Sequence, residues 1–239
     1  MKTHILFLVI TVTFPHMEYA QTLLNKAIQL QKGQSVRMHF DHPELIRVST
    51  WEGSDIVIQG TVSINGGEND DAFVIDQSVE DNQVKISGRI RDIKRLPQRV
   101  TIVRDGQKVM LRDREELRKY QQEHGQGYNQ MSFGPDIDIV LDIKIPVGVE
   151  TNIASVYGMV EIRSFAGPLA VESTYGGVDA ALTERAVGEI TAETNYGEIY
   201  TNLDIKFGNS PSDKDFHTFV TAKPGTGPRY SLESKYGNV

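Results

Sequence analysis

The chain has 239 residues, of which 39% are hydrophobic, and a formal net charge of −7. This apolar content is sufficient for a folded core, and the negative charge argues against nucleic acid or an anionic membrane surface as the main partner, because both bind basic patches. The sequence contains no cysteine, which excludes disulfides, thiolate catalysis and cysteine-bound metal centres.

The first twenty residues have the pattern of an export signal. Lys2 precedes an apolar run from Ile5 to Phe14, and Ala20 is a small residue suited to cleavage. The run is too short to cross a bilayer, which takes ~20 apolar residues. We therefore expect a signal peptide over residues 1–20 and a mature protein in the periplasm, at the cell surface or outside the cell, without a transmembrane segment. Glu18 departs from the usual cleavage pattern, and a buried first strand is the alternative.

Most of the remaining sequence has the period-2 alternation of half-buried strands. In the clearest case, residues 136–145 (DIDIVLDIKI), isoleucines and a leucine alternate with aspartates and a lysine. Residues 36–40, 56–64, 73–75 and 84–86 continue the same alternation. The sequence therefore predicts an all-β protein.

Residues 96–134 interrupt this alternation. Thr101–Leu111 has the pattern of a hairpin that turns at Asp105-Gly106. Asp113–Gly125 has the capping residues of a short helix. We expect these two elements to form an arm inserted into the strand array, followed by an irregular return.

A Tyr-Gly pair recurs four times in the C-terminal part of the chain. Each tyrosine follows a serine or threonine by two positions and an apolar residue by four, and the units are about 20 residues apart or twice that. The four tyrosines are Tyr157, Tyr175, Tyr196 and Tyr236, and the hydroxyl residues are Ser155, Ser173, Thr194 and Ser234. Such a period is typical of a solenoid, in which each unit stacks on its neighbour.

The apolar positions change parity across each Tyr-Gly pair. This change predicts a corner, at which glycine would tolerate a positive φ. Stacked corners would bring the tyrosine rings into a ladder. We consider two roles for Tyr157, Tyr175, Tyr196 and Tyr236: a ladder that stabilises the stack, or an exposed ligand-binding surface for sugars.

The Tyr-Gly repeats, the export signal and the segment Val36–Ile75 resemble a bacterial envelope family of β-strand-repeat domains. Members are often described as adhesin-like and are compared with auto-transporter adhesin head domains. The resemblance implies a single-stranded, right-handed β-helix over residues 21–239, with the 96–134 arm as an addition. It supplies no catalytic residues.

No catalytic, metal or cofactor site is predicted. Asp136, Asp138 and Asp142 share one strand face, where calcium could bind, but a solvated acidic face is the simpler interpretation. The acidic loop Gly66–Asp71 lacks the spacing of a calcium loop, and residues 39–42 (HFDH) do not place both histidines on one face.

These patterns favour a structural or adhesin-like binding protein without catalytic activity. The expected partners are an envelope protein, a host surface or a glycan. Two alternatives are a polysaccharide lyase or hydrolase on the same scaffold, which would use the acidic strand faces, and an envelope-stress sensing module. Because the last repeat ends at Val239, we also expect a C-terminal solenoid edge that is either shielded or used for self-association.

Overall fold

The computed structural model of the protein describes residues 21–209 and 216–239. The predicted signal peptide lies outside the described residues. The described residues form three sheets and one α-helix. In chain order the elements are β1 (Thr22–Gln29), β2 (Ser35–Phe40), β3 (Leu45–Trp51), β4 (Asp55–Ile64), β5 (Phe73–Glu80), β6 (Gln83–Ile90), β7 (Arg99–Arg104), β8 (Gln107–Leu111), α1 (Arg114–His124), β9 (Gln130–Gly134), β10 (Ile137–Pro146), β11 (Thr151–Ser155), β12 (Met159–Ile162), β13 (Leu169–Ser173), β14 (Val178–Ala180), β15 (Glu189–Thr194), β16 (Gly208–Asn209), β17 (Thr218–Ala222) and β18 (Arg229–Ser234).

Two large sheets enclose one apolar core. The six-stranded sheet has the order β1-β4-β10-β3-β12-β14, and the nine-stranded sheet has the order β16-β17-β15-β18-β13-β11-β2-β6-β5. Alternate residues of both sheets point into the core, as Ile139 and Leu141 do from β10 and Met38 and Phe40 do from β2. The alternation seen in the sequence therefore marks the buried faces correctly.

The predicted single-stranded right-handed β-helix is wrong. Both large sheets are mixed: β4 pairs antiparallel with β1 and β10, β6 with β5, and β17 with β15. A single-stranded β-helix winds all its strands in one direction, whereas this chain reverses repeatedly and builds a two-sheet sandwich. The error has a physical cause, because alternation reports which face is buried but not the direction of the neighbouring strand.

The four Tyr-Gly units do lie on neighbouring parallel strands, but not in chain order. Strand β13 pairs with β11 on one side and with β18 on the other, and β18 then pairs with β15. The last unit of the chain is therefore inserted between the second and the third. This arrangement places Ser173 opposite Ser155 and Ser234, and Ser234 opposite Thr194.

The C-terminal edge is shielded by other parts of the chain, which is one of the two expected outcomes, because β18 has a partner on both sides. The last residues are also paired. Val239 donates its backbone N–H to the carbonyl of Glu198 (3.0 Å), and Tyr200 donates its backbone N–H to the carbonyl of Val239 (2.8 Å). Other parts of the chain shield this end, so it offers no open strand for self-association.

The arm contains the predicted hairpin and helix. Asp105 and Gly106 have positive φ values at the hairpin turn. Asp113 accepts hydrogen bonds from the backbone N–H groups of Glu115 (2.8 Å) and Glu116 (2.9 Å) at the start of α1. The return is not irregular as expected, because β9 pairs with β7 and completes a third sheet in the order β8-β7-β9.

Candidate binding surface: an aromatic column and an acidic row

A buried hydroxyl holds each Tyr-Gly corner in place. The Oγ of Ser234 accepts the backbone N–H of Gly237 (2.8 Å) and donates to the carbonyl of Gly176 on the neighbouring unit (2.8 Å). Thr194 makes the same two bonds, to Gly197 N–H (3.0 Å) and to Gly237 O (2.9 Å). In these two corners the hydroxyl therefore satisfies backbone groups within its own corner and across to the next strand. Ser155 instead bonds the N–H and carbonyl of Gly158 in its own corner, and Ser173 bonds the carbonyl of Gly158 on the neighbouring unit.

The glycines are required by close approach and not by a left-handed backbone. The predicted positive φ is absent at all four corners. A Cβ at Gly176 would lie 2.1 Å from the carbonyl oxygen of Gly158, and one at Gly197 would lie 2.0 Å from that of Gly237. A Cβ at Gly158 would meet Pro43 O at 2.0 Å in the same way. Any side chain at these positions would therefore push adjacent corners apart.

The corners place the tyrosine rings in one outward-facing column. The ring centroids are 5.3 Å apart for Tyr157 and Tyr175, 5.1 Å for Tyr175 and Tyr236, and 5.1 Å for Tyr236 and Tyr196. The interplanar angles of these pairs are 13°, 7° and 8°. Each side chain is between 45 and 60% exposed. The column follows the order of the strands, so the last tyrosine of the chain stands third.

Two further rings extend the column beyond the repeat. His42 lies 5.7 Å from Tyr157 at an angle of 37°, and Phe216 lies 5.7 Å from Tyr196 at 27°. Burial lowers the pKa of His42, although Asp41 acts in the opposite direction. The aromatic column, defined here as His42, Tyr157, Tyr175, Tyr236, Tyr196 and Phe216, therefore has a neighbour against each tyrosine face. Its tyrosines present ring edges, and not open ring faces, to solvent.

A row of glutamates runs beside the column on the outer face of the nine-stranded sheet. Glu172 is opposite Glu233, and Glu233 is opposite Glu193, each three residues before its tyrosine. Burial raises the pKa of Glu233, and the carboxylates of Glu193 and Glu172 raise it further, while Lys235 and His217 oppose the shift. His217 Nε2 lies 2.7 Å from Glu193 Oε1. We call these three glutamates the acidic row.

The acidic row was missed from the sequence, although a signal for it exists. Glutamate precedes the tyrosine by three positions in three of the four units, and alanine holds that position in the first unit. The stronger signal of the repeat comes from the positions two and four residues before the tyrosine, which are buried and keep their residue class in every unit. His42 and Phe216 lie outside the repeat, so no periodic signal identifies them.

The other polar clusters considered in the sequence do not converge. Asp136 pairs with Lys108 (2.7 Å), and Asp142 pairs with Arg47 (3.5 Å), so these two carboxylates serve separate ion pairs. In the acidic loop, Asp70 Oδ1 accepts the backbone N–H of Ile64 (2.6 Å) and so has a structural role.

Residues 39–42 are divided between two contacts, because His39 bonds Asp41 (2.9 Å) whereas His42 packs against Tyr157. Within residues 21–209 and 216–239, no three His, Asp or Glu side chains are arranged to hold a metal ion. In the same part of the chain, no helix has the length and apolar character needed to span a bilayer.

Comparisons with known proteins identify no family. No protein-family model matches the chain, and no curated protein matches it. The fold is similar to a "putative cell adhesion protein" from Clostridium sporogenes, with a TM-score of 0.47 and 11% identity over 92% of this chain and 97% of the other. A second match is to a "putative adhesin" from Bacteroides fragilis, with a TM-score of 0.24 and 10% identity over 94% of this chain and 100% of the other. With both TM-scores below 0.5, neither likeness carries an argument about this protein.

Proposed function

We propose that this protein is a non-catalytic, adhesin-like binding protein that contacts a basic polypeptide surface through its aromatic column and acidic row. The observation that carries the proposal is the column itself: four parallel tyrosine rings, each about half exposed, in a fixed stack. The export pattern of residues 1–20 supports a location in the periplasm or at the cell surface.

A polypeptide partner suits the geometry of the column better than a sugar. Sugars stack on open ring faces, but the faces of Tyr175 and Tyr236 are covered by neighbouring rings. Tyrosine edges offer apolar C–H groups and a hydroxyl, a combination that makes tyrosine frequent at the centres of protein interfaces. The buried hydroxyls and glycines fix the rings before binding, which lowers the entropic cost of association.

The charge of the surface favours a basic partner. Three carboxylates occupy successive strands in the acidic row. The raised pKa of Glu233 has burial as its main cause and the neighbouring carboxylates as a further one. A lysine or arginine placed by a partner beside Glu233 would relieve the repulsion within the row and make charge-assisted hydrogen bonds.

The proposal of a non-catalytic role is supported by the pairing of the acidic strand residues. A polysaccharide-cleaving enzyme would need carboxylates and a basic residue that converge on one cleft. Asp136 and Asp142 instead form ion pairs with two different side chains, Lys108 on β8 and Arg47 on β3.

Selection from a random peptide phage library against the full chain tests the proposal. We expect the enriched peptides to be basic and to lose binding to a Tyr175→Ser/Tyr236→Ser double variant. Tyr200→Ser is the matched control, because Tyr200 is an exposed tyrosine outside the column, and it should retain binding.

A second variant and a glycan array complete the design. Glu172→Gln/Glu233→Gln should weaken peptide binding without disturbing the stack, and thermal unfolding confirms that each variant is folded. Peptides that bind the double tyrosine variant as well as the wild type would overturn the proposal. Binding of a neutral glycan that requires Tyr175 and Tyr236 would replace the polypeptide partner with a sugar.

A further inference from the structure

The arm has an open edge strand with an apolar side. Strand β9 (Gln130–Gly134) pairs with β7 alone, so its other edge is unpaired. We propose that β9 pairs antiparallel with β9 of a second copy of this chain and forms a weak symmetric dimer through a continuous six-stranded arm sheet.

Strand β9 lacks the charge that protects the other edges. Proteins commonly place charged residues or proline on exposed edge strands to prevent pairing between molecules. Among the edge strands of three or more residues in the described part of the chain, β9 (QMSFG) alone has no charged side chain. The corresponding charges on the other edges are Lys26 on β1, Asp76 and Glu80 on β5, Lys108 on β8 and Asp179 on β14.

The two large side chains of β9 are left partly uncovered. Met131 is opposite Ile102, and Phe133 is opposite Val100, so both extend the face that carries the small core of the arm. Helix α1 covers that face beside β8 through Leu117. Met131 stays 42% exposed and Phe133 53% exposed, although Arg114 lies 5.2 Å from the Phe133 ring centroid.

The sequence of β9 is complementary to itself in an antiparallel pair. With Ser132 on the two-fold axis, Met131 of one copy is opposite Phe133 of the other, and this contact occurs twice. Cross-strand pairs of this kind are favourable, and a thioether beside an aromatic ring is a favourable contact. The same patch meets itself, as a two-fold interface requires.

The size of the contact sets its strength. One five-residue strand and two partly exposed side chains bury less than the roughly 1,200 Å² in total that marks the lower limit of stable interfaces. The chain carries a net charge of −7, but an uncharged strand brings no like charges into direct contact. We therefore expect a concentration-dependent dimer with a dissociation constant above roughly 10 µM.

Analytical ultracentrifugation over a concentration series tests the proposal. The wild type should shift from monomer to dimer, and Phe133→Lys should stay monomeric over the same range because it places two positive charges on the new sheet. Val79→Lys is the matched control, since Val79 is 61% exposed on the edge strand β5, and it should dimerise like the wild type. A monomeric wild type at the highest concentration, or an equal loss of dimer in Val79→Lys, would overturn the proposal.

A cysteine variant gives an independent measurement on folded protein. The chain has no cysteine, and Ser132→Cys would place two sulfurs beside the two-fold axis, where antiparallel Cα atoms lie ~4.5–5.5 Å apart, within the range of a disulfide. We expect Ser132→Cys to form a covalent dimer at least tenfold faster than Val79→Cys under mild oxidation. Equal rates for the two variants would show that β9 is not the contact. Circular dichroism checks that both variants keep the fold.

Discussion

The ring of Tyr236 stacks on the ring of Tyr175 at a centroid distance of 5.1 Å and an angle of 7°, although three other strands of the same sheet, β15, β16 and β17, lie between them in the sequence. This contact follows from the insertion of β18 between β13 and β15. The spacing of the rings is close to the ~4.8 Å between strands, so the sheet itself fixes the column. The backbone of the sheet therefore sets the order and the spacing of the rings in the aromatic column.

Gly176→Ala should destabilise the fold by about 1–3 kcal/mol, the usual cost of overpacking. Its Cβ would lie 2.1 Å from the carbonyl oxygen of Gly158, which cannot move without separating two strands. Urea unfolding measures the change. Gly127→Ala is the control, because Gly127 has an ordinary backbone φ and a Cβ there would have no other atom within 4 Å, and it should unfold like the wild type. Equal stability of the two variants would refute the requirement for close approach.

Ser234→Ala should cost about 1–3 kcal/mol, because it leaves buried backbone groups without a partner. The hydroxyl of Ser234 is fully buried and bonds both Gly237 N–H and Gly176 O. Ser234→Thr should keep most of the stability, since Thr194 makes the same two bonds in its own corner. If thermal unfolding shows the same loss of stability for Ser234→Ala and Ser234→Thr, the hydrogen bonds of the hydroxyl do not account for that loss.

Glu233→Gln should raise the stability at pH 7 by roughly 0.5 kcal/mol, the size of a cross-strand repulsion between like charges. Burial and the carboxylates of Glu193 and Glu172 raise the folded-state pKa of Glu233 above its ordinary value of 4.5. The charged form is therefore disfavoured in the folded state, and the wild type regains stability as the pH falls through the raised pKa.

The advantage of Glu233→Gln should consequently disappear below about pH 4, where Glu233 is protonated in both the folded and unfolded states. Urea unfolding at pH 7 and at pH 4 measures this difference. Glu52→Gln, a change at an exposed residue between β3 and β4, is the control for the loss of one surface carboxylate. A lower stability of Glu233→Gln at pH 7 would contradict the proposed repulsion.

Asp113→Ala should loosen helix α1 without unfolding the sandwich. Hydrogen bonds from the backbone N–H groups of Glu116 and Glu115 lower the pKa of Asp113 below its ordinary value of 3.8. Its contribution to the helix is therefore present above that value and is lost as the pH falls through the lowered folded-state pKa. Hydrogen exchange at neutral pH should become several-fold faster in α1 and stay unchanged in β10. Uniform acceleration in both elements would contradict a local role for the cap.

The buried face of each strand could be predicted from the sequence, but the order of the strands could not. Alternation identified the inward isoleucines of β10, and the Tyr-Gly repeat placed Ser155 and Ser173 in register. Neither pattern encodes which strand will be the neighbour, because the choice depends on long-range packing. The insertion of β18 and the antiparallel pairing of β4 and β6 could therefore not be predicted from the sequence.

The candidate surface was predicted in part. The four tyrosines were identified from their period, but their outward direction was not, and the glycines were assigned to a positive φ that the structure does not contain. Close approach between corners arises only when strands stack, so a single unit carries no sign of it. His42 and Phe216 belong to segments outside the repeat, and only the folded structure brings their rings against Tyr157 and Tyr196.

Disulfide trapping measures the order of the strands, on which the column, the acidic row and the binding proposal all depend. The cysteine-free chain allows two double variants to be compared: Glu172→Cys/Glu233→Cys, on adjacent strands, and Glu172→Cys/Glu193→Cys, on strands separated by β18. We expect rapid intramolecular disulfide formation in the first variant and none in the second, since cysteine Cα atoms must lie within about 7 Å. A disulfide in the second variant and not in the first would contradict the insertion of β18 between β13 and β15.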